Sequence, residues 1–438
     1  MYLRPHALVV VGATLAGTPA RAQELLVHPE WLLEPAPGTV YQSGIGSPAV
    51  AYDRGTRTWT MYFETQIGPE DGECRVGRWG IGRATSPDGL HWTIDDELVL
   101  QPEPGTFYDC VVAHPDVLFD GSRWRLWFKA HQRSSVCLGG GEPPPWGCAA
   151  VTGVGQASSA DGVHFTVDPE PAINLFSFGF PAVVQVDGVL RMLLAYSNAS
   201  NGIYELWESV SIDDGASWSA PQFVLGPGFA SWVEDEIYNP AMTCDPTPPP
   251  GQGTISLFAG GRDTELVVGA PPRYASAGLG RAWSDDGVRW TWQGTEPLVG
   301  WNLTPEPGVP PDRDWRHWDA MRVGDEYLLF FSQRDDLGRN RVGLAYTYAA
   351  VQAGFPERLI SDRICSSAGA DTGAPTQGDD TDAPTDSDAR DTAVGGGRPV
   401  PDAETPKPDP DGCDCDHGSG ARLGGAWLIV LLLGRRRR

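Results

Sequence analysis

Short, mostly apolar runs recur along residues 24–360, and each is about the length of one β-strand. The five clearest runs are WTMYFE at 59–64, WRLWFKA at 124–130, LRMLLAY at 190–196, TISLFAG at 254–260 and YLLFFSQ at 327–333. In the first run Trp59, Met61 and Phe63 fall on one face, and this period of two predicts a strand. Several other runs are apolar on both faces, which is typical of strands packed between neighbouring sheets.

Each run follows a similar opening segment. The openers are GIGSPAV at 44–50, VAHPDV at 112–117, GFPAV at 179–183, YNPAM at 238–242 and HWDAM at 317–321. Because the same order of elements recurs five times, the sequence indicates a repeat protein.

A turn of the form Ser-x-Asp-Gly with a nearby aromatic residue closes four of the repeats. It reads SPDGLHW at 86–92, SADGVHF at 159–165, SIDDGASW at 211–218 and SDDGVRW at 284–290, and the third copy matches the Asp-box pattern of sialidases and other propellers. An Asp side chain accepts backbone N–H groups in a tight turn, and Gly takes its left-handed position. We therefore interpret Asp88, Asp161, Asp213 and Asp286 as structural residues.

Five openers, five apolar strands and four such turns predict an all-β fold, a five-bladed β-propeller over residues 23–365. The fifth repeat, at 341–352, lacks the Asp turn, and the segment 24–35 is expected to close the ring by supplying its outer strand. Two β-sandwich domains and a six-bladed ring remain as alternatives. Sandwiches do not explain the fixed order of elements within each repeat.

Composition bears on the type of fold, and net charge bears on the type of partner. The chain has 438 residues, of which 54 are Gly and 39 are Pro, and this favours many short strands over long helices. The net charge of −25 repels phosphate backbones, so no nucleic-acid partner is expected.

Both ends of the chain differ from its middle. Residues 1–22 have the three parts of a secretory signal, ending in Ala20-Arg21-Ala22, so signal peptidase is an expected partner. Residues 366–412 are rich in Asp, Thr and Pro and predict a disordered linker. Residues 413–438 contain a Cys pair, an apolar run too short to span a bilayer and four terminal arginines. This tail resembles the MYXO-CTERM sorting tail, which implies a C-terminal sorting protease and retention at the cell surface or outer membrane.

Six cysteines precede the linker, and in an exported chain they suggest disulfides. Six cysteines allow 15 pairings. Cys137 and Cys148 bracket a Gly- and Pro-rich loop, so we predict a disulfide between these two.

In a propeller blade the openers and the ends of the second strands lie on one face, around the channel. Carboxylates and aromatic rings at these positions suit a sugar, because rings stack on pyranose faces and paired carboxylates can perform acid/base chemistry. The predicted catalytic residues are Asp109, Glu236 and Asp319, and the predicted substrate-binding residues are His114, Trp232, Arg262, Trp315, Trp318 and Arg334.

The openers, the MYF and LWF strands and the block IGRATSPDGLHW resemble the five-bladed propeller glycosidases of families 43 and 32, such as arabinanases and invertases. Those families carry an Asp before the first-blade Pro and a Glu opening the third blade. This chain has Ser47 and Gly179-Phe180-Pro181 there. The resemblance implies a carbohydrate-active, glycosidase-like propeller, although two of the usual acids are absent. The signal and the tail add that it is exported and either held at the cell surface or secreted. The alternative is a non-catalytic propeller that binds a glycan or a protein. We expect a monomer with no metal and no cofactor.

Overall fold

The computed structural model of the chain describes the following residues, and every structural statement here concerns them alone: 25–71, 74, 77–133, 152–175, 178–197, 204–228, 233, 236–245, 248, 253–263, 276–294, 297–300, 315–324, 326–335, 337–347, 360–361 and 363–365. Residues 1–22, 137, 148 and 366–438 lie outside this part. The signal, the Cys137–Cys148 disulfide, the linker and the tail therefore stay predictions.

The described part is all-β, as predicted, and contains no α-helix. Its first strand is β1 (Leu25–Val27). Unit one has β2 (Gly46–Asp53), β3 (Thr58–Gly68), β4 (Arg78–Ser86) and β5 (Thr93–Ile94); unit two has β6 (Val111–Phe119), β7 (Trp124–His131), β8 (Thr152–Ser159) and β9 (Thr166–Val167). Unit three has β10 (Phe178–Val186), β11 (Val189–Ser197), β12 (Tyr204–Ser211) and β13 (Gln222–Leu225). Unit four has β14 (Glu236–Cys244), β15 (Ile255–Asp263), β16 (Ser276–Ser284), β17 (Thr291–Trp292) and β18 (Val299–Gly300). Unit five has β19 (Trp315–Val323), β20 (Glu326–Arg334) and β21 (Asn340–Thr347), and β22 (Ile360–Ser361) and β23 (Ile364–Cys365) end the described chain.

Within each unit, consecutive strands pair antiparallel, except that β18 of unit four pairs with β16. The last unit is completed by the start of the chain, because β1 pairs with β21 from Leu25 opposite Thr347 to Val27 opposite Ala345. The predicted closure of the ring by the segment 24–35 is therefore confirmed for these residues.

The first strands of the five described units form a closed cycle. β2 contacts β6, β6 contacts β10, β10 contacts β14, β14 contacts β19, and β19 returns to β2. We call the space that these strands enclose the channel, and the end where they begin the channel mouth. A closed cycle of antiparallel sheets is the arrangement of a propeller and not of two sandwiches.

Every first strand has the same irregularity at its opener. The pairing register shifts there, and the residue at the shift has a positive φ between 45° and 54°. The five opener residues are Ser47, His114, Phe180, Asn239 and His317. In four of the five openers the next residue is Pro. A bulge accommodates this Pro, because Pro has no N–H to donate to the neighbouring strand. Left-handed backbone at non-glycine residues is strained and is often found at functional sites.

The Asp turns have the structural role predicted from the sequence. Asp213 accepts hydrogen bonds from the backbone N–H of Ser217 at 2.9 Å and from the hydroxyl of Ser217 at 2.5 Å. These bonds lower the pKa of Asp213 to about 2. In the equivalent turn of unit two, the backbone N–H of His164 donates to Asp161 at 2.9 Å, and this bond lowers the pKa of Asp161.

A short C-terminal segment, residues 360–365, lies at the end of the channel opposite the mouth. Its strand β22 pairs with the end of β19, and β23 pairs parallel with the end of β10. Cys365 forms a disulfide with Cys244, the last residue of β14, and a second disulfide joins Cys74 to Cys110. Among the described residues, no helix is long and apolar enough to cross a membrane.

Candidate functional site

The five opener residues meet around one cavity at the channel mouth. Its wall consists of Ser47, His114, Phe180, Asn239 and His317, together with the residue that follows each of them. The cavity volume is about 30 Å³, which suits an ion or a water molecule and is too small for a sugar ring. A larger ligand would have to lie over the mouth.

A hydrogen-bonded group of three side chains forms one side of this cavity. The backbone N–H of His114 donates to Glu64 Oε2 at 2.9 Å, and His114 Nδ1 lies 3.2 Å from the same oxygen. Ser47 Oγ lies 2.8 Å from His114 Nδ1. Glu64 belongs to the second strand of unit one and is only 3% exposed, so this carboxylate is held inside the protein between two units.

The rings of His114, Phe180 and His317 lie close together at this cavity, with one cation nearby. The Phe180 ring lies 4.2 Å from the His114 ring and 5.6 Å from the His317 ring, between ring centres, and the two imidazole centres are 4.4 Å apart. The ammonium of Lys129 lies 4.7 Å from the centre of the Phe180 ring, within the range of a cation–π contact.

Burial disfavours the charged forms of Glu64, His114 and Lys129. Burial raises the pKa of Glu64, although hydrogen bonds from His114 and Ser47 oppose the rise. Burial lowers the pKa of Lys129 to about 8, with Glu64 opposing the shift, and burial together with the His317 and Lys129 charges lowers the pKa of His114.

Asp319, a predicted catalytic residue, lies two positions after the opener His317 and is 2% exposed. Its Oδ2 accepts the backbone N–H of Val50 in unit one at 2.6 Å, and its Oδ1 is paired with the guanidinium of Arg363. Asp116 holds the matching position in unit two: it accepts the N–H of Val183 at 2.6 Å and pairs with the same guanidinium. These contacts favour a structural role for both carboxylates, and catalysis by Asp319 stays a prediction.

The other two predicted acids lie just before or at the start of first strands. Asp109 is buried and paired with Arg133, whose Nε is 3.1 Å from Asp109 Oδ2 and whose backbone N–H donates to Oδ1 at 2.6 Å. Glu236 is half-buried at the first position of β14, where its backbone pairs with that of Arg262. Their proposed catalytic roles stay predictions.

The structure brings only part of the predicted binding set to the mouth. His114 and Trp318 line the cavity, but Trp318 is also a core residue, 5% exposed, whose Nε1 donates to the Phe258 carbonyl at 3.3 Å. Arg334 is exposed at the end of β20. Trp232 lies outside the described residues, as do the side chains of Arg262 and Trp315.

The predicted set did not include Glu64, Lys129, Phe180, Asn239 or His317. Three of these, Phe180, Asn239 and His317, precede the Pro or Trp of an opener, and that shared position is the signal that could have identified them. Glu64 and Lys129 are polar residues near the ends of otherwise apolar second strands, where an acid and a base are costly to bury without a role. Glu64, His114 and His317 are also the described residues that could hold a metal ion.

A larger groove, of about 630 Å³, runs along the outer strands of units one and two. It is lined by residues 98–104, Tyr108 and residues 165–167. Glu103 is the one carboxylate among these lining residues, so the groove does not carry the paired groups that acid/base chemistry requires.

Comparison with known proteins identifies the fold but not a family. No protein-family model matches the chain, and no curated protein sequence matches it. A glycosyl hydrolase from Bacteroides ovatus has a similar structure, with a TM-score of 0.51 and 14% identity, covering 75% of this chain and 94% of that one. A β-1,2-mannobiose phosphorylase from Listeria innocua, solved with β-1,2-mannobiose, has a TM-score of 0.48 and 15% identity over 74% of this chain and 96% of its own.

A thermostable family-43 glycoside hydrolase gives a TM-score of 0.48 and 16% identity, over 69% of this chain and 88% of that chain. Identities this low bear on the fold alone. The prediction of a glycosidase-like propeller fold is confirmed at that level: the chain shares the all-β fold of these carbohydrate-active proteins.

Proposed function

We propose that this protein is a five-bladed propeller that binds a carbohydrate over its channel mouth. The observation that carries the proposal is the convergence of five opener residues on one small cavity, each held by the same strained bulge. Strain repeated at five positions of a ring indicates a surface built to present side chains.

The chemistry of the mouth suits a sugar. Phe180 offers a half-buried ring for stacking on the apolar face of a pyranose, and Ser47, Asn239 and the imidazoles offer hydrogen bonds to hydroxyl groups. The phosphorylase of similar fold was solved with a disaccharide, which supports this class of ligand. Because the cavity is too small for a ring, we expect the sugar to rest on Phe180 with its hydroxyls directed toward the cavity.

Binding without hydrolysis is the version that the geometry favours. Glycoside hydrolysis by the common mechanism needs two carboxyl groups on either side of the scissile bond. None of the five opener residues is a carboxylate, and Glu64 is the one acid in contact with them among the described contacts. Asp116 and Asp319 are both engaged by Arg363.

A glycan array with the purified chain tests the binding proposal, followed by titration of the best ligand. The variant Phe180→Ala should weaken the affinity about fivefold or more, because stacking contributes on the order of 1 kcal/mol or more. The matched control is Phe223→Ala, which removes an exposed phenylalanine from β13 of the same unit and should leave the affinity unchanged. No glycan bound, or equal losses in both variants, would contradict the proposal.

The hydrolytic alternative assigns catalysis to Asp109, Glu236 and Asp319. It predicts release of reducing sugar from a bound glycan, and a loss of turnover by orders of magnitude in the variants Asp109→Asn, Glu236→Gln and Asp319→Asn. Turnover that survives in all three would reject these residues. If the unmodified chain binds a glycan but shows no turnover, its function is carbohydrate binding without hydrolysis.

We also propose that the protein is exported and held at the cell surface by residues 413–438. Two disulfides among the described residues support an oxidising compartment. A chain that ends at residue 412 should be found in the medium, still folded, whereas the full chain should fractionate with the cells. Continued cell association of the shortened chain would exclude the tail as the anchor.

A further inference from the structure

Three metal-binding side chains from three different strands meet at the channel mouth. Glu64 of β3, His114 of β6 and His317 of β19 each offer one ligand atom, and these atoms all lie within 4.8 Å of one another. We propose that they form a site for a divalent transition-metal ion of the Zn²⁺ type. This site shares its cavity with the carbohydrate site proposed above, but it can be tested without any sugar.

The ligand set determines the class of metal. Two imidazoles with one carboxylate suit Zn²⁺ and related ions, whereas Ca²⁺ and Mg²⁺ prefer all-oxygen sites. A tetrahedral ion with bonds of about 2.0–2.1 Å separates its ligand atoms by roughly 3.4 Å. The present separations, all within 4.8 Å, exceed that value by no more than about 1.4 Å.

The backbone fixes two of the three ligands. His114 and His317 both occupy the left-handed opener position, with φ of 47° and 45°. Both rings pack against Phe180, which limits their rotation. The third ligand, Glu64, is fixed by the His114 backbone N–H at 2.9 Å. Metal sites gain affinity when their ligands are oriented in advance by such contacts.

A second, independent observation points to a ligand in the same cavity. Asn239 is 6% exposed and lines the cavity, yet its Oδ1 has no hydrogen-bond partner within the described residues. A buried carbonyl oxygen without a donor is costly, and an ion or an ion-bound water would satisfy it. The cavity volume of about 30 Å³ fits such an occupant.

Lys129 is the competing explanation for this cluster. Its ammonium acts on Glu64 and on His114, so it could neutralise the carboxylate without any metal. The two explanations differ in one respect. If a metal binds, Lys129 opposes it by charge repulsion, and Lys129→Met should tighten the binding.

The test is titration of the full chain with Zn²⁺ after dialysis against a chelator. Cys413 and Cys415 are first changed to Ser, since free thiols bind Zn²⁺ on their own. We expect one Zn²⁺ per chain by calorimetry and by metal analysis, and visible absorption bands from bound Co²⁺. The variant His114→Gln/His317→Gln should bind at least 100-fold more weakly.

The matched control is His91→Gln/His164→Gln, which also removes two histidines that lie beside carboxylates. His91 Nδ1 is 2.7 Å from Asp88, and His164 Nδ1 is 2.8 Å from Asp161, both in exposed turns. This control should bind Zn²⁺ as the parent chain does. Should the ligand variant fail to fold, Glu64→Gln provides the second measurement: Zn²⁺ should raise the melting temperature of the parent chain and not that of Glu64→Gln.

Four results would overturn the proposal. The first is a parent chain that binds no Zn²⁺. The second is equal Zn²⁺ affinity in the parent and in His114→Gln/His317→Gln. The third is a site that takes Ca²⁺ in preference to Zn²⁺. The fourth is weaker Zn²⁺ binding by Lys129→Met than by the parent chain.

Discussion

At the scale of single residues, one contact explains the glycines that recur in the third strands. Phe63, Phe128 and Phe331 of the second strands stand opposite Gly82, Gly155 and Gly343 of the third strands. A Cβ atom on Gly82 would lie 2.6 Å from the Phe63 ring and 2.7 Å from the Tyr41 ring, and one on Gly343 would lie 2.6 Å from the Phe331 ring. These glycines therefore leave the space that a buried phenylalanine fills.

We expect Gly82→Ala to lower the free energy of unfolding by about 1–3 kcal/mol, because added volume in a packed core forces side chains to move. Denaturant unfolding measures the change. The control is Gly226→Ala, since a Cβ there meets only the ring of Phe223, which is exposed, at 3.2 Å. Equal stability of Gly82→Ala and the parent chain would show that the neighbouring rings can move to accommodate the added methyl group.

The residue scale is also where sequence reasoning was weakest for the site. The opener motif indicated where a site should lie, because it repeats locally. Asp319 and Asp116 both pair with Arg363, and Asp116 is 247 residues away from it in the sequence. Periodicity carries no information about pairs so distant in the chain. The position of Glu64 near the end of a second strand indicated the channel face, but a strand pattern does not predict which residue it meets across the channel.

At the scale of elements, the Asp turns are the most uniform feature of the fold. Each carboxylate accepts hydrogen bonds from at least three backbone or side-chain groups of its own turn, as Asp161, Asp213 and Asp286 illustrate. The sequence predicted these turns correctly because every partner lies within a few residues. The strand order within each unit was predictable for the same reason.

The turns give a pH dependence with a definite sign. The pKa of Asp213 falls to about 2 in the folded chain, against an ordinary value near 4, so its stabilising effect is complete above about pH 4 and is lost as the pH falls toward 2. Asp213→Asn should therefore lower the melting temperature at pH 6, and the difference from the parent should shrink by pH 2. Melting curves at several pH values measure this.

Asp96→Asn, at an exposed position outside the turns, is the control for the change of one charge. A difference between Asp213→Asn and the parent chain that stays constant from pH 6 to pH 2 would contradict the assigned role of the ionised turn.

At the scale of the whole molecule, residues 360–365 join units that are far apart in the sequence. Arg363 is 4% exposed and pairs with Asp116 of unit two and Asp319 of unit five, while each of these carboxylates also accepts a backbone N–H from the next unit. The remaining three units have Ala at the matching positions, 49, 182 and 241. One guanidinium thus pairs with two buried carboxylates from different units.

We expect Arg363→Met to lower the free energy of unfolding by about 3–5 kcal/mol, because it leaves two buried carboxylates without their cation. The triple variant Arg363→Met/Asp116→Ala/Asp319→Ala should regain a large part of this loss, since it restores the residue found in the other units. Unfolding titrations of both variants measure the effect. A triple variant less stable than Arg363→Met alone would show that the carboxylates matter mainly through their backbone hydrogen bonds.

The disulfide between Cys244 and Cys365 has a mechanical consequence. The linker predicted from the sequence begins directly after Cys365, so tension applied through that linker would enter the fold at this disulfide. The covalent bond passes the load directly to β14 of unit four. The load therefore bypasses the strand pairing of β22 and β23 and the Arg363 ion pairs. These contacts would otherwise break one after another. A propeller pulled by its C-terminus would therefore resist unravelling from that end as long as this one bond stays oxidised.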